Sequence, residues 1–185
     1  EQLKKGVICA SAGNHAQGVA MSAAKLGCRA VIVMPTTTPS VKVDAVKAFG
    51  GANVEVILHG ESYTDAYNHA LTLEKEQKLA FVHPFDDPDV IAGQGTCSRE
   101  LLEQVEGLDA VVAPIGGGGM ISGTCLTLST IAPQVKIYAA EPLNADDAAR
   151  SFRAGHIIAD DAPDTVADGL KVPLKELTWH FVKNH

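Results

Sequence analysis

The chain has 185 residues, 46% of them hydrophobic, and a formal net charge of −7 without acidic or basic blocks. This composition supports a packed core and argues against nucleic acid or an anionic membrane surface as a partner. No apolar run approaches the length of a membrane span, and no signal peptide is recognisable. Four scattered cysteines without a C-x-x-C pair predict buried thiols and a cytoplasmic protein: Cys9, Cys28, Cys97 and Cys125.

The first half of the chain alternates short apolar runs with segments of helical periodicity. Strands are predicted at residues 7–10, 29–34, 53–58 and 80–82. Helices are predicted at residues 16–26, 41–49 and 62–77. Strands separated by helices predict a parallel sheet that is covered on both faces.

The pattern restarts after a stretch, residues 84–88, in which two prolines and two aspartates cluster. Helices are predicted within residues 88–105, 120–131 and 146–154, and strands at 109–115 and 135–140. The rest is polar and contains prolines until a periodic run at 174–182. We therefore predict an α/β chain with two open, mostly parallel sheets, one in residues 1–84 and the other in residues 85–185.

Four consecutive glycines lie between the strand predicted at 109–115 and the helix predicted at 120–131. They are Gly116, Gly117, Gly118 and Gly119, and we call them the glycine loop. Backbone amides without side-chain cover, next to the positive end of a helix, suit a phosphate dianion. The alternative is a tight, flexible turn. The spacing matches neither a P-loop nor a dinucleotide-binding turn.

A second strand-to-helix turn is formed by Ser11, Ala12, Gly13, Asn14 and His15, which we call the asparagine loop. Its amides and the Asn14 side chain could hold a carboxylate or a ring hydroxyl. The alternative is that Ser11 or Asn14 only caps the following helix. Because ligands of open α/β sheets lie beyond the carboxyl ends of the strands, two such turns favour a binding site.

Four motifs in this order carry a family resemblance. They are Ser-Ala-Gly-Asn-His-Ala-Gln-Gly from residue 11, Val-Lys-Val-Asp from 41, Ile-Ala-Gly-Gln-Gly-Thr from 91, and the glycine loop. From near residue 5 to the C-terminus the chain resembles the serine/threonine dehydratases and serine racemases, pyridoxal-phosphate (PLP) enzymes of fold type II. The resemblance implies a small lobe, residues 1–84, and an incomplete large cofactor-binding lobe, residues 85–185.

The resemblance also implies roles for both loops. The glycine loop and Met120 would bind the cofactor phosphate, and Asn14 would contact the pyridine 3′-hydroxyl. The asparagine loop would receive the carboxylate of a small amino-acid substrate. The implied reaction removes the α-proton and the β-hydroxyl of L-threonine or L-serine and yields a 2-oxo acid and ammonia.

One element of the family is absent. The lysine that holds the cofactor lies in a Ser-Phe-Lys-x-Arg-Gly type motif upstream of the asparagine loop, and no such motif occurs here. The glycine-rich segment that carries the partner of the pyridine nitrogen is missing too. We therefore assign no catalytic lysine and expect an internal piece of a longer, homo-oligomeric enzyme. The alternative to an enzyme is a fragment without catalytic activity.

A candidate metal site follows the strand predicted at 135–140. Glu141 and Asp147 could supply carboxylates and Ala145 a backbone carbonyl to Mg²⁺ or Ca²⁺. The alternative is a helix N-terminus at which acidic side chains interact favourably with the helix dipole, and the residues alone favour this alternative over a metal site. The stretch resembles the metal site of the racemases and their dehydratase relatives, which favours the metal.

Residue Ala12 distinguishes the two reactions that the family runs. Serine racemases are expected to carry a serine immediately before Gly-Asn-His, as the acid that returns a proton to the opposite face of the carbanion. The alanine methyl has no proton to give, and an apolar Phe85 suits a substrate methyl group. We therefore predict a dehydratase, with serine racemase as the alternative.

Overall fold

The computed structural model describes residues 5–159 and 162–185. The chain divides into two compact units, the first ending at Pro84 and the second spanning Phe85–His185. Each unit is described by itself below.

The first unit is a four-stranded parallel sheet with helices between the strands. Its strands are β1 (Val7–Ala10), β2 (Ala30–Met34), β3 (Val54–Leu58) and β4 (Ala80–Phe81), in the order β3-β2-β1-β4. Its helices are α1 (Asn14–Leu26), α2 (Ser40–Gly50) and α3 (Tyr63–Gln77), with a 3₁₀ turn at Gly51–Asn53. The parallel register, with Val7 opposite Ala30 and Ala80, confirms the predicted sheet. Helix α1 begins two residues earlier than predicted.

Alternation along the central strands places helices on both faces of this sheet. Ile32 and Met34 of β2 are fully buried against α1 and α2. Val31 and Val33 of the same strand are buried on the other face, against Ala66 of α3. A strand that is apolar at every position is what a doubly covered parallel sheet requires.

Within residues 85–159 and 162–185, the second unit contains a two-stranded parallel sheet and four α-helices. In chain order these are α4 (Pro88–Gln104), β5 (Ala110–Pro114), α5 (Gly119–Ile131), β6 (Lys136–Ala140), α6 (Asp147–Ala154) and α7 (Glu176–Asn184). Strands β5 and β6 pair in parallel, and a 3₁₀ turn spans Asp168–Leu170. Ile115, Ile121 and Leu174 belong to the core of this unit, and Trp179 packs against it.

Helices α4 and α5 approach each other closely at two glycines. A Cβ on Gly123 would lie 2.5 Å from the Gly95 nitrogen and 2.6 Å from the Ile91 carbonyl oxygen. The Thr127 hydroxyl donates to the Gly95 carbonyl at 3.0 Å. The backbone contact therefore depends on both glycines.

The cysteines differ from the prediction at one position. Cys9, Cys28 and Cys125 are buried, whereas Cys97 is exposed. The prediction was wrong for Cys97 because the buried face of α4 carries Ile91, Gly95 and Ser98. Within residues 5–159 and 162–185, no helix is both long and apolar enough to cross a membrane.

We expect Gly123→Ala to destabilise the second unit by about 1–3 kcal/mol, the usual effect of overpacking. The matched control is Gly93→Ala on the exposed side of α4, where a Cβ would meet nothing within 4 Å. That change should stabilise the helix by roughly 0.5–1 kcal/mol. Melting temperatures measure both changes, and a tolerated Gly123→Ala would contradict the close approach of the two helices.

Candidate functional site

The glycine loop joins β5 to α5 and is packed tightly from behind. A Cβ on Gly117 would lie 2.6 Å from the Phe85 ring, and one on Gly119 would lie 2.8 Å from the Phe85 Cβ. A Cβ on Gly116 would lie 2.7 Å from the Gly169 carbonyl oxygen. Side chains are therefore excluded at these positions by neighbouring atoms.

Gly118 adds a conformational requirement to the steric one. Its φ of 88° lies in the left-handed region, and a Cβ there would lie 2.6 Å from the Leu174 Cδ2 and 2.9 Å from the Thr178 Cβ. Neighbouring atoms as close as these restrict the loop to one conformation, which a flexible turn would not show. The glycine loop is instead a turn of fixed shape at the start of α5, in which Gly116 and Gly117 are half-buried and Gly118 and Gly119 are buried.

Carboxylates close the N-termini of four helices. Asp65 bonds to the Ser62 amide before α3, and Asp87 accepts from the amides of Asp89 and Val90 in α4. Glu141 accepts from the Ala148 and Ala149 amides in the first turn of α6, and Asp86 accepts from the Thr178 amide in α7.

Helices α1 and α5 begin differently. Neither has a side-chain cap or an acidic residue in its first turn, and each follows a glycine at the cap position, Gly13 or Gly118. Helix α2 also lacks a side-chain cap, but it follows Pro39 instead of a glycine. The positive ends of α1 and α5 are therefore the ones at which bare glycine backbone can receive an external anion.

The asparagine loop has the same features in the first unit. The Ser11 hydroxyl accepts from the Gly13 amide at 3.2 Å, which makes a local turn instead of a helix cap. Asn14 is the first residue of α1, and its side chain is exposed. The alternative in which Ser11 or Asn14 caps the helix is therefore wrong.

His15 fixes the position of the asparagine loop. Its Nε2 lies 3.0 Å from the Val82 carbonyl oxygen, which can only accept, so Nε2 carries the proton. Burial lowers the pKa of His15, and the bond to Val82 opposes that shift. A neutral ring thus joins the start of α1 to the residue that follows β4.

Tyr63 is a polar group that sequence reasoning missed. It is the first residue of α3, and parallel topology places it at the same carboxyl edge of the sheet as the asparagine loop. Tyr63 is 42% exposed, and desolvation of the rest of its side chain, with smaller contributions from Tyr67 and Cys9, raises its pKa to about 12. The phenol therefore stays protonated and can donate a hydrogen bond. The sequence feature that could have indicated Tyr63 is its position directly after Ser62, the residue that caps α3.

The candidate metal residues lie together between β6 and α6. Glu141 accepts from the amides of Ala148 at 3.0 Å and Ala149 at 2.8 Å, so the helix-terminus interpretation is correct for its carboxylate. Burial raises the pKa of Glu141, the two amide bonds oppose that shift, and the charge of Asp147 adds to it. Asp147 and Ala145 are buried.

No set of three or more His, Cys, Asp and Glu residues in the described part of the chain is arranged to hold a metal ion. The combination of two carboxylates with the Ala145 carbonyl therefore stays a prediction.

Comparison with known proteins decides the family. The family of pyridoxal-phosphate dependent enzymes matches residues 1–185. The chain belongs to this family. Structures of the dehydratases and racemases share its fold, which confirms the fold-type-II prediction. Maize serine racemase superposes with a TM-score of 0.93 at 42% identity, over 99% of this chain and 55% of that one.

Two curated relatives span the whole chain. The β-hydroxyaspartate dehydratase of Paracoccus denitrificans (strain Pd 1222) is 60% identical, and the chain covers 58% of its length. The biosynthetic L-threonine dehydratase of Burkholderia multivorans (strain ATCC 17616 / 249) is 51% identical, and the chain covers 37% of its length. The chain thus spans less than two thirds of these relatives.

We expect Gly118→Ala to weaken binding of a phosphate-bearing ligand by tenfold or more, because the new Cβ strains the backbone and displaces Leu174 or Thr178. The matched control is Gly107→Ala. Gly107 also has a positive φ, of 69°, but nothing lies within 4 Å of its Cβ position. The control should lose only about 1–2 kcal/mol of stability from strain. Equal ligand affinity in both variants would contradict the site.

Proposed function

We propose that the full-length protein is a PLP-dependent dehydratase that converts a small 3-hydroxy amino acid to a 2-oxo acid and ammonia. The observation that carries the proposal is the glycine loop, a turn of fixed shape without side chains at the uncapped start of α5. Membership of the PLP family supports the cofactor phosphate as the ligand of that turn.

The residues present fit this cofactor. The amides of the glycine loop and of Met120 would hold the phosphate, because no glycine side chain covers them and they lie at the start of α5. Ser122, in the first turns of α5, has a fully buried hydroxyl without a hydrogen-bond partner among the described residues, so a donor is left over near the loop. Asn14 would contact the pyridine 3′-hydroxyl.

The chain's own residues bind and orient the substrate. The amides at the start of α1 would receive the α-carboxylate, and His15 would keep that turn in place through Val82. The bound cofactor supplies the electron sink that stabilises the carbanion formed when the α-proton leaves. Breaking the Cβ–O bond then releases the hydroxyl as water. Hydrolysis of the resulting enamine gives the 2-oxo acid and ammonia.

Two substrate classes are candidates. The relative at 60% identity favours β-hydroxyaspartate, which would give a four-carbon 2-oxo diacid. The relatives near 50% identity are threonine dehydratases and favour L-threonine, with L-serine as its smaller analogue. Phe85 gives no support to either class, because its ring packs behind the glycine loop. We place β-hydroxyaspartate first because identity to its dehydratase is higher over the whole chain.

Initial rates of ammonia release from the three substrates test this choice. The expected result is the highest kcat/KM for β-hydroxyaspartate, with measurable turnover of L-threonine and L-serine. Higher kcat/KM for L-threonine would reverse the order of the two substrates. No turnover of any of them by PLP-loaded protein would refute the dehydratase.

Ala12 supports elimination over racemisation. Its side chain is half-buried in the asparagine loop and has no transferable proton. We predict that L-serine yields pyruvate with little D-serine, and that Ala12→Ser raises the D-serine fraction, since a positioned acid is worth about a hundredfold or more in rate. Chiral chromatography measures both products. D-serine and pyruvate formed at comparable rates by the unaltered protein would contradict the prediction.

We also propose that Glu141, Asp147 and the Ala145 carbonyl bind Mg²⁺ or Ca²⁺. Two neighbouring carboxylates, one of them buried, repel each other, and a cation would relieve that repulsion. Since the ion would bind only the folded state, chelator should lower the melting temperature and added Mg²⁺ should restore it. Asp147→Asn should abolish this response, while Asp109→Asn, an exposed control, should keep it. An unchanged response in Asp147→Asn would refute the site.

The cytoplasm and a homo-oligomeric assembly stay predictions for the full-length protein. Its proposed small-molecule partners are the amino-acid substrate and PLP.

A further inference from the structure

Asp86 lies next to the glycine loop without belonging to it. One of its carboxylate oxygens accepts a hydrogen bond from the backbone amide of Thr178 at 3.1 Å, across 92 residues of sequence. Thr178 is fully buried in the first turn of α7. Its hydroxyl accepts from the Lys175 amide at 3.1 Å and donates to the Lys175 carbonyl at 3.2 Å. The amide of Thr178 thus joins this turn to Asp86.

Two groups of side chains pack behind the glycine loop and form its walls, and Asp86 and Thr178 each belong to or adjoin one of them. Phe85, which precedes Asp86, fills the space behind Gly117 and Gly119. Thr178, together with Leu174, fills the space behind Gly118. The hydrogen bond between Asp86 and Thr178 therefore joins one wall to the other.

We propose that Asp86 is a positioning residue for the phosphate-binding turn. By fixing α7 against the segment that carries Phe85, it holds the glycine loop in the shape in which its amides would receive an anion. The proposal rests on the function proposed above only in taking that anion to be the phosphate of PLP. Asp86 does not need to contact the cofactor.

An aspartate that only caps a helix should affect stability without affecting PLP affinity, and the neighbouring Asp87 is such a residue. Asp87, the next residue, accepts from the amides of Asp89 at 2.9 Å and Val90 at 3.1 Å and closes the start of α4. Replacing either aspartate by alanine should cost a similar amount of stability. The bond from Asp86 to the Thr178 amide joins the walls of the glycine loop, whereas the bonds from Asp87 stay within the start of α4.

The experiment measures the dissociation constant of PLP by equilibrium dialysis against the full-length protein and its variants. Asp86→Ala should raise this constant by roughly tenfold or more, as expected for the loss of a charge-assisted hydrogen bond. Asp86→Asn keeps an oxygen that can accept from Thr178 and should stay within about threefold of the unaltered protein. Asp87→Ala should leave the constant unchanged while lowering the melting temperature.

The possible outcomes separate the proposed function from the proposed role of Asp86. Failure of the unaltered protein to bind PLP would refute the proposed function. PLP binding that is equal in Asp86→Ala and the unaltered protein would overturn the role of Asp86 alone. So would an equal loss of affinity in Asp86→Ala and Asp87→Ala. If Asp86→Ala does not fold, Asp86→Ser, whose shorter side chain falls short of the Thr178 amide, takes its place with the same expectation.

Discussion

The absence of Cβ atoms at four consecutive positions is the constraint on which the second unit depends. Neighbouring atoms lie within 2.6–2.8 Å of the place where each side chain would begin. Phe85, Gly169, Leu174 and Thr178 can approach the loop only because no side chain keeps them away. Their approach in turn prevents the loop from relaxing into other shapes, so its amides are preorganised before any ligand arrives.

The helix N-termini in both units differ in whether a group of the protein accepts hydrogen bonds from their amides. A helix begins with unpaired amides and a partial positive charge, which are satisfied from within the protein or by a ligand. Asp65, Asp86, Asp87 and Glu141 satisfy four of them internally. Helices α1 and α5 have no such partner among the described residues and both follow glycine, and we propose that an external anion binds at each. A PLP enzyme that acts on amino acids needs two such sites, one for a phosphate and one for a carboxylate.

Much of the fold follows from local sequence, because the alternation of apolar runs and helical periodicity fixes the type and order of the elements. The two glycine-containing turns were recognisable for the same reason. Contacts between distant segments were not predictable. Nothing in the neighbourhood of Asp86 indicates that its partner lies at Thr178. The exposure of Cys97 depends on which face of α4 meets α5. The amide bonds of Glu141 likewise required the fold, since residues alone left two interpretations open.

The central claim is that the glycine loop binds the phosphate of the cofactor, and the most direct test separates the phosphate from the rest of that molecule. Dissociation constants of pyridoxal phosphate and of pyridoxal are measured for the full-length protein and for Gly118→Ala. The account predicts that the unaltered protein strongly prefers the phosphorylated form and that Gly118→Ala loses most of this preference while its affinity for pyridoxal changes little. A Gly118→Ala protein that keeps the full preference for the phosphate would contradict it.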